Sequence, residues 1–250
     1  MKHVLVLPDI HFPHHDQRTL NAVESYMADN EWDEVVWLGD LIDFDYISSH
    51  ERGNLRGRVV AQNAISRDYN LVNSVLDRHA KIVGPHTKQT IIQGNHDFRV
   101  ERFIDENPAL EGLAEVENGL HLRDRGIQWV QGWSKGEIYR IGKAAFVHGL
   151  YITEHHAKKM VQAFGENVFY GHTHDIQTYS QTKRGDNNTI VGQSLGCLCR
   201  YDQKYMKGRP SAWQQAFGEF YIKPNGHFNY YVIRIVNHSF VAPDGEEYAG

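Results

Sequence analysis

The sequence contains little that would link it to an oxidising compartment or a membrane. Only two of its 250 residues are cysteines, Cys197 and Cys199, and the single residue between them gives poor disulfide geometry. Two buried free thiols are therefore expected, which suits a reducing compartment. No apolar run approaches the roughly 20 residues that span a bilayer, and the first residues show no signal-peptide pattern. We expect a cytoplasmic protein with no membrane partner.

Positive charge is not in excess either. Lysine and arginine number 26 against 31 acidic residues, so the formal net charge is −5 with the 16 histidines neutral. Proteins that neutralise many phosphates along a duplex usually carry a basic face, which disfavours extended nucleic-acid binding but not a site for one phosphate. The chain shows no internal repeat and no low-complexity linker. We therefore expect one domain over residues 1–250.

Short apolar runs alternate with helical patterns up to about residue 174. Buried strands are predicted at residues 4–7, 35–38, 89–92, 144–147 and 167–170, and amphipathic helices at 17–30, 59–79 and 154–164. Further strands are predicted at 128–130, 138–141, 189–191, 216–222 and 228–235, and residues 243–250 are expected to form a frayed tail. This order predicts an α/β fold in which two packed mixed sheets are flanked by helices.

Five of these strands run into side chains that can bind metals. They are Asp9 and His11, then Asp40, then Asn95 and His96, then His148, and finally His172 and His174. The last two lie two residues apart, so in an extended chain both imidazoles point to one side. Functional groups collect at the carboxyl ends of strands in α/β sheets, which makes convergence the expectation. Carboxylates and imidazoles without a thiolate suit Mn, Fe, Co, Ni or Zn, and their number suffices for two ions.

The same segments resemble a known family. The sequences DIH (9–11), GDLID (39–43), GNHD (94–97), HG (148–149) and GHTH (171–174) are similar, in order and spacing, to the five motifs of the calcineurin-like metallophosphoesterases. Each motif alone is common, whereas all five in order after predicted strands are highly specific. The match runs over residues 9–174, about two-thirds of the chain. It implies the four-layer α/β sandwich of that family, two mixed sheets flanked by helices.

The resemblance also implies roles for individual residues. One metal would be held by Asp9, His11 and His174, the other by Asn95, His148 and His172, with Asp40 bridging the two. A hydroxide bridging the ions would attack phosphorus, with Mn²⁺ the first expectation and Fe, Zn, Ni or Co the alternatives. His96 would be the general acid, oriented by Asp43, and the alternative for His96 is a metal ligand. Asp97 is expected at a helix N-terminus.

The substrate class is indicated by departures from one branch of that family. Phe44 and Gln93 stand where its phosphoprotein phosphatases carry phosphate-gripping arginines, and Asp97 replaces their glutamate. GNHD is typical instead of the phosphodiesterase and nuclease branches, and a diester carries less negative charge than a monoester. We expect a phosphodiesterase acting on a nucleotide or short nucleic acid. The alternatives are a broad phosphomonoesterase and, from another class, a non-catalytic metal-binding scaffold.

Two polar loops, at residues 44–58 and 200–212, are expected to wall the substrate site. Arginines that could contact the substrate are Arg52, Arg56, Arg58 and Arg99, and aromatic rings that could stack a base are Tyr46, Trp133, Tyr201 and Tyr205. For each of them the alternative is a solvated surface charge or an ordinary packed ring.

Overall fold

The computed structural model describes residues 1–47, 58–182, 184–185, 188–203, 206–209 and 211–250, with the backbone alone at 58–62. All nine residues predicted for the metal centre and its acid fall within these ranges. Arg52, Arg56 and Tyr205, together with the side chain of Arg58, lie outside the described residues.

The described strands and helices alternate through the first two-thirds of the chain. The strands are β1 (Lys2–Leu7), β2 (Glu34–Trp37), β3 (Lys88–Ile92), β4 (Gln128–Val130), β5 (Tyr139–Ile141), β6 (Ala144–Phe146), β7 (Asn167–Tyr170), β8 (Thr178–Thr182), β9 (Thr189–Ser194), β10 (Ala216–Ile222), β11 (Phe228–Arg234), β12 (Ser239–Val241) and β13 (Glu247–Ala249). The helices are α1 (Gln17–Asp29), α2 (Arg58–Val83), α3 (Phe98–Glu106), α4 (Val116–Gly119), α5 (Gly132–Lys135) and α6 (His156–Phe164). Single 3₁₀ turns occur at Asp45–Ile47 and Pro108–Leu110.

Two mixed sheets form the centre of the fold. The six-stranded sheet has the order β11-β10-β1-β2-β3-β4, in which β1 to β4 are parallel and β10 and β11 antiparallel. The five-stranded sheet has the order β5-β6-β7-β9-β8, with β6, β7 and β9 parallel and an antiparallel strand at each edge. The prediction of two mixed sheets is confirmed.

The strand β1 shows why the predicted strands read as continuous apolar runs. Val4 and Val6 belong to the core between the two sheets, whereas Leu5 and Leu7 belong to the core under α1 and α2. A strand buried on both faces has no polar side to alternate with. On the far side, α6 covers the five-stranded sheet through Met160. Helices, sheet, sheet and helix give the four-layer sandwich that the resemblance implies.

The C-terminal residues and strand β8 depart from the prediction. Residues 247–249 form a strand that pairs with β12 and packs on α1, instead of a frayed tail. Tyr248 lies 5.0 Å from the ring of Tyr26 and 5.4 Å from that of Phe240, measured between centroids. Strand β8 was not predicted because its side chains are polar and mostly exposed, as befits an edge. Neither element carries a continuous apolar run for local pattern to find.

The arrangement of the sheets determines where the predicted metal-binding motifs meet. The five motif segments follow β1, β2 and β3 of one sheet and β6 and β7 of the other. Within each sheet these strands are parallel, so their carboxyl ends reach the same edge.

In the described parts of the chain no helix has both the length and the apolar character needed to cross a membrane.

The core between the sheets yields a stability prediction. Phe220 lies 4.7 Å from Phe169 and 5.1 Å from Phe146 between ring centroids, and its side chain is fully buried. Phe220→Ala should lower the free energy of unfolding by about 3–5 kcal/mol, because a large cavity remains. Tyr231→Ala, on the exposed face of the neighbouring strand, should change it by less than about 1 kcal/mol. Urea unfolding followed by circular dichroism measures both, and equal losses would contradict the assignment.

Candidate metal centre

The first group of donors comes from two distant motifs. The ligand atoms of Asp9, His11 and His174 lie within 4.8 Å of one another, and all three residues are buried. His174 Nε2 is 3.2 Å from Asp9 Oδ1 and 3.0 Å from His11 Nε2. Two imidazole nitrogens and a carboxylate oxygen therefore face one point.

A second group lies beside the first. The ligand atoms of Asp40, His148 and His172 also lie within 4.8 Å of one another. His148 Nε2 is 3.2 Å from Asp40 Oδ2 and 2.9 Å from Asn95 Oδ1. The amide oxygen of Asn95 is thus available to the same group, so all seven predicted ligands come together in the fold.

Asp40 connects the two groups through one oxygen. Its Oδ2 lies 3.2 Å from His148 Nε2 and 3.6 Å from His11 Nε2, one nitrogen from each group. Its Oδ1 accepts a hydrogen bond of 2.7 Å from the backbone amide of His96. A backbone amide thus holds one oxygen of Asp40, and the other oxygen faces both groups.

The backbone around these residues is strained. Five predicted ligands have a positive φ, which L-residues adopt at a cost of roughly 1–2 kcal/mol each: 43° at Asp9, 56° at His11, 49° at Asp40, 69° at His172 and 60° at His174. Such conformations persist only where the surroundings hold them, and they concentrate at functional sites. The loops are thus shaped to aim side chains at a common point.

Two motif glycines make the close approach possible. A Cβ on Gly171 would overlap the Asp9 carboxylate, and a Cβ on Gly94 would overlap the carboxylate and backbone nitrogen of Asp40. In place of side chains, the neighbouring amides approach: His172 N donates to both Asp9 oxygens at 3.0 and 2.9 Å. The glycines are therefore required by contacts between motifs, not by the loops that contain them.

Three of the imidazoles are oriented by contacts at Nδ1, the ring nitrogen that points away from the donor groups. His11 Nδ1 is 3.1 Å from Asp43 Oδ2, and His148 Nδ1 donates to the carbonyl of Leu38 at 3.1 Å. His174 Nδ1 lies 3.8 Å from the sulfur of Cys199. Each contact leaves Nε2 facing the centre, as is usual for metal-binding histidines. Both cysteines are free and buried as predicted, but no local signal indicated that Cys199 supports a ligand.

His96 lies at the edge of both groups. Its Nε2 is 3.9 Å from Asp40 Oδ2, and its Nδ1 is 3.3 Å from Asp43 Oδ1. Asp43 therefore lies against His11 and His96, one carboxylate oxygen to each ring. The ligand atoms of His11, Asp40 and His96 also lie within 4.8 Å of one another, which is the geometry that the ligand alternative for His96 requires. Burial lowers the pKa of His96.

Asp97 ties two motifs together. It directly precedes α3 as predicted, but its carboxylate accepts hydrogen bonds from the amides of Gly94 at 2.9 Å and Ile42 at 3.0 Å. Burial, reinforced by the charge of Asp40, raises the pKa of Asp97 to about 6. The residue positions the segments that carry Asp40 and Asn95.

Two tryptophans border the donors. The ring of Trp133 lies 5.5 Å from His172 and that of Trp213 lies 4.2 Å from His174, centroid to centroid. Trp133 was among the aromatic rings predicted to contact substrate, and Trp213 was not. Tyr46 instead packs against the hydrophobic core, and the hydroxyl of Tyr201 accepts a hydrogen bond from Gln215 N at 2.6 Å.

No protein-family model matches the chain. It is 27% identical over 254 residues to the gene 54 protein of Mycobacterium phage D29, covering 96% of each chain. It is 26% identical over 231 residues to the gene 54 protein of Mycobacterium phage L5, covering 86% of this chain and 87% of that relative. Vacuolar protein sorting 29 from Cryptosporidium parvum superposes with a TM-score of 0.50 at 12% identity, covering 100% of this chain and 95% of that one.

The chain has the metallophosphoesterase fold. Its similarity to vacuolar protein sorting 29 is one of fold, and the four-layer order of sheets and helices agrees with it. The phosphodiesterase branch suggested by GNHD is a finer assignment than the fold supports. Within this metallophosphoesterase fold, the donor atoms of both groups lie at the carboxyl ends of the parallel strands.

The charge distribution of the centre fits divalent cations. Burial alone would raise the pKa of Asp9, but hydrogen bonds to His11 and His174 outweigh burial and hold it below its usual range. Burial disfavours a charged His148, yet the adjacent Asp40 carboxylate raises its pKa to about 9. The buried carboxylates attract positive charge, and imidazoles surround them. Together these groups form a donor set suited to divalent metal ions.

The close contact at Gly171 predicts the effect of a single methyl group. Gly171→Ala should weaken binding of Mn²⁺ at least about tenfold, because the added carbon displaces Asp9 from His174. Calorimetric titration of the metal-free protein with Mn²⁺ measures this.

Gly165→Ala is the matched control. Its Cβ would meet nothing within 4 Å, but its φ of 67° makes alanine strained there. This variant should lose about 1 kcal/mol of stability and keep its metal affinity. Unchanged Mn²⁺ binding in Gly171→Ala would show that the contact with Asp9 does not shape the site.

Proposed function

We propose that this chain is a two-metal phosphoesterase that hydrolyses phosphodiesters of nucleotides or short nucleic acids. The observation that carries this proposal is the single oxygen, Asp40 Oδ2, which faces His148 Nε2 at 3.2 Å and His11 Nε2 at 3.6 Å. Two-metal phosphoryl transfer requires ions roughly 3.5–4 Å apart, and a shared carboxylate oxygen keeps them close.

In this proposal each group of donors holds one ion. Asp9, His11 and His174 would bind the first, Asn95, His148 and His172 the second, and Asp40 both. When bound, two divalent ions supply an activated water and neutralise the charge that develops on the phosphoryl oxygens. We expect Mn²⁺ first, and Fe, Zn, Ni and Co are the alternatives that accept the same nitrogen and oxygen donors.

His96 and Asp43 would act on the leaving group. His96 is exposed over 14% of its side chain, so a substrate at the opening can reach its ring. From that position it would donate a proton to the leaving oxygen, a contribution of roughly 100- to 10,000-fold for a general acid. Asp43, 3.3 Å from Nδ1, would orient the ring and stabilise its protonated form.

Two buried side chains support a diester over a monoester. Phe44 is fully buried, with its ring 5.7 Å from Tyr69. Gln93 is also buried, and its side-chain oxygen accepts hydrogen bonds from Ser134 N at 2.9 Å and Oγ at 2.7 Å. Neither position presents positive charge to a phosphate. A diester, with one negative charge fewer than a fully ionised monoester, suits this environment better.

A second candidate is a metal-binding scaffold without catalysis. The structural relative of Cryptosporidium parvum is named for vacuolar sorting, not for hydrolysis, which favours this alternative. The complete set of donors, with a histidine beside the shared oxygen, favours the enzyme.

The paired substrate test separates these functions. With Mn²⁺ added, the protein should hydrolyse bis-p-nitrophenyl phosphate faster than p-nitrophenyl phosphate, lose activity in EDTA and recover it when Mn²⁺ is restored. The absorbance of the released p-nitrophenolate gives both rates. Clear preference for the monoester would overturn the diesterase assignment. No hydrolysis of either ester by fully metal-loaded protein would favour the scaffold.

Substitutions should separate metal binding from acid catalysis. His96→Ala should lower kcat by about 100-fold or more for a dinucleotide, whose alkoxide leaving group needs a proton, with both ions retained, because only the proton donor is lost. Asp40→Asn should reduce the number of bound ions, because the shared oxygen loses its charge. The exposed His86→Ala is the control for removal of an imidazole. Metal content, measured by mass spectrometry, distinguishes the two roles of His96. Loss of an ion from His96→Ala would show that His96 is a ligand and not the acid.

A further inference from the structure

Arg99 reaches into the candidate centre from the helix that follows the third motif. Its Nη1 donates to the backbone carbonyl of Asp43 at 2.7 Å and to Asp43 Oδ1 at 2.9 Å. Its Nη2 lies 3.0 Å from His96 Nε2. One half of the guanidinium is thus anchored on a carboxylate, and the other half is directed at the proposed acid.

The position of Arg99 is not explained by helix stability. It lies in the first turn of α3, where the aligned peptide dipoles disfavour a positive charge by a few tenths of a kcal/mol to about 1 kcal/mol. The compensating contacts all run outward to Asp43 and His96. The side chain serves the centre, not its own helix.

The guanidinium is the most exposed group of its cluster. The Arg99 side chain is 22% exposed, compared with 5% for Asp43 and 14% for His96. Its Nη2 lies beside His96 Nε2, which is itself 3.9 Å from Asp40 Oδ2. A positive charge that is partly open to solvent therefore lies next to the donor groups.

We propose that Arg99 binds a non-bridging phosphoryl oxygen of the substrate, an inference that rests on the phosphoesterase function proposed above. An arginine is always charged, and its hydrogen bonds to an anionic oxygen are roughly twice as strong as those between neutral groups. For the Arg99 guanidinium, His96 Nε2 is therefore a weaker acceptor than an anionic phosphate oxygen. A phosphate oxygen therefore replaces His96 on Nη2, while Nη1 keeps its hold on Asp43.

Arg99 would then give the substrate a single positive charge, whereas Phe44 and Gln93, both buried and uncharged, give none. The exchange of partners also removes the resting contact between Nη2 and His96 Nε2.

The test measures phosphate binding and hydrolysis separately. Inorganic phosphate is titrated calorimetrically into Mn²⁺-loaded wild type, Arg99→Ala, Arg99→Lys and Arg102→Ala, the last an exposed arginine of the same helix. Arg99→Ala should raise the phosphate Kd by about 10- to 100-fold at unchanged metal content, Arg99→Lys by less, and Arg102→Ala by less than about twofold. In diester hydrolysis, Arg99→Ala should raise KM and lower kcat, and added guanidinium should partly restore both.

The outcomes are distinguishable. Unchanged phosphate affinity in Arg99→Ala overturns the inference, and loss of metal from that variant overturns it in favour of a structural role through Asp43. If wild type binds phosphate through Arg99 but hydrolyses neither nitrophenyl ester, the binding role stands and the proposed hydrolysis fails. If wild type hydrolyses the diester and Arg99→Ala is equally active, the inference fails and the proposed hydrolysis stands.

Discussion

The structure depends on the burial of one carboxylate, Asp40, at the junction of two sheets. A buried ion is costly by several kcal/mol unless its oxygens are satisfied, and here both are. One accepts a hydrogen bond from the amide of His96, and the other faces imidazoles of both donor groups. Gly94 leaves space for it, and Asp97 ties its segment to the neighbouring one. The motif loops are arranged around this residue.

The surrounding core is what permits such a strained centre. Five left-handed residues and several buried charges each reduce stability, and strain of this kind persists only when the rest of the fold over-determines it. The core between the sheets, with Phe146, Phe169 and Phe220 in mutual contact, holds the strand ends in register. Apolar cores on both faces of the six-stranded sheet thus hold the strands, and the candidate centre lies at the strand ends.

The candidate centre divides into parts that sequence could and could not reveal. The donors could be predicted, because each is a short polar signal at the end of an apolar run. The supporting contacts could not. Cys199 meets His174 from 25 residues away in the chain. Arg99, which the sequence indicates only as a possible substrate contact, meets Asp43 from 56 residues away. Trp213 beside His174 is a similar case. Periodicity reports burial, but it carries no information on which distant side chains share a space.

By itself, the sequence determined the alternation of strands and helices up to β7, the residue types of the candidate metal donors and the ends of the strands at which they lie. These follow from local patterns, because an apolar run and the polar group that ends it are read within ten residues. Only the tertiary structure decided that Asp40 offers one oxygen to both groups, that Asp43 contacts two histidines and that the last strand packs on α1. Distances of 3–4 Å between segments depend on how two sheets twist and pack, and no single segment encodes that packing.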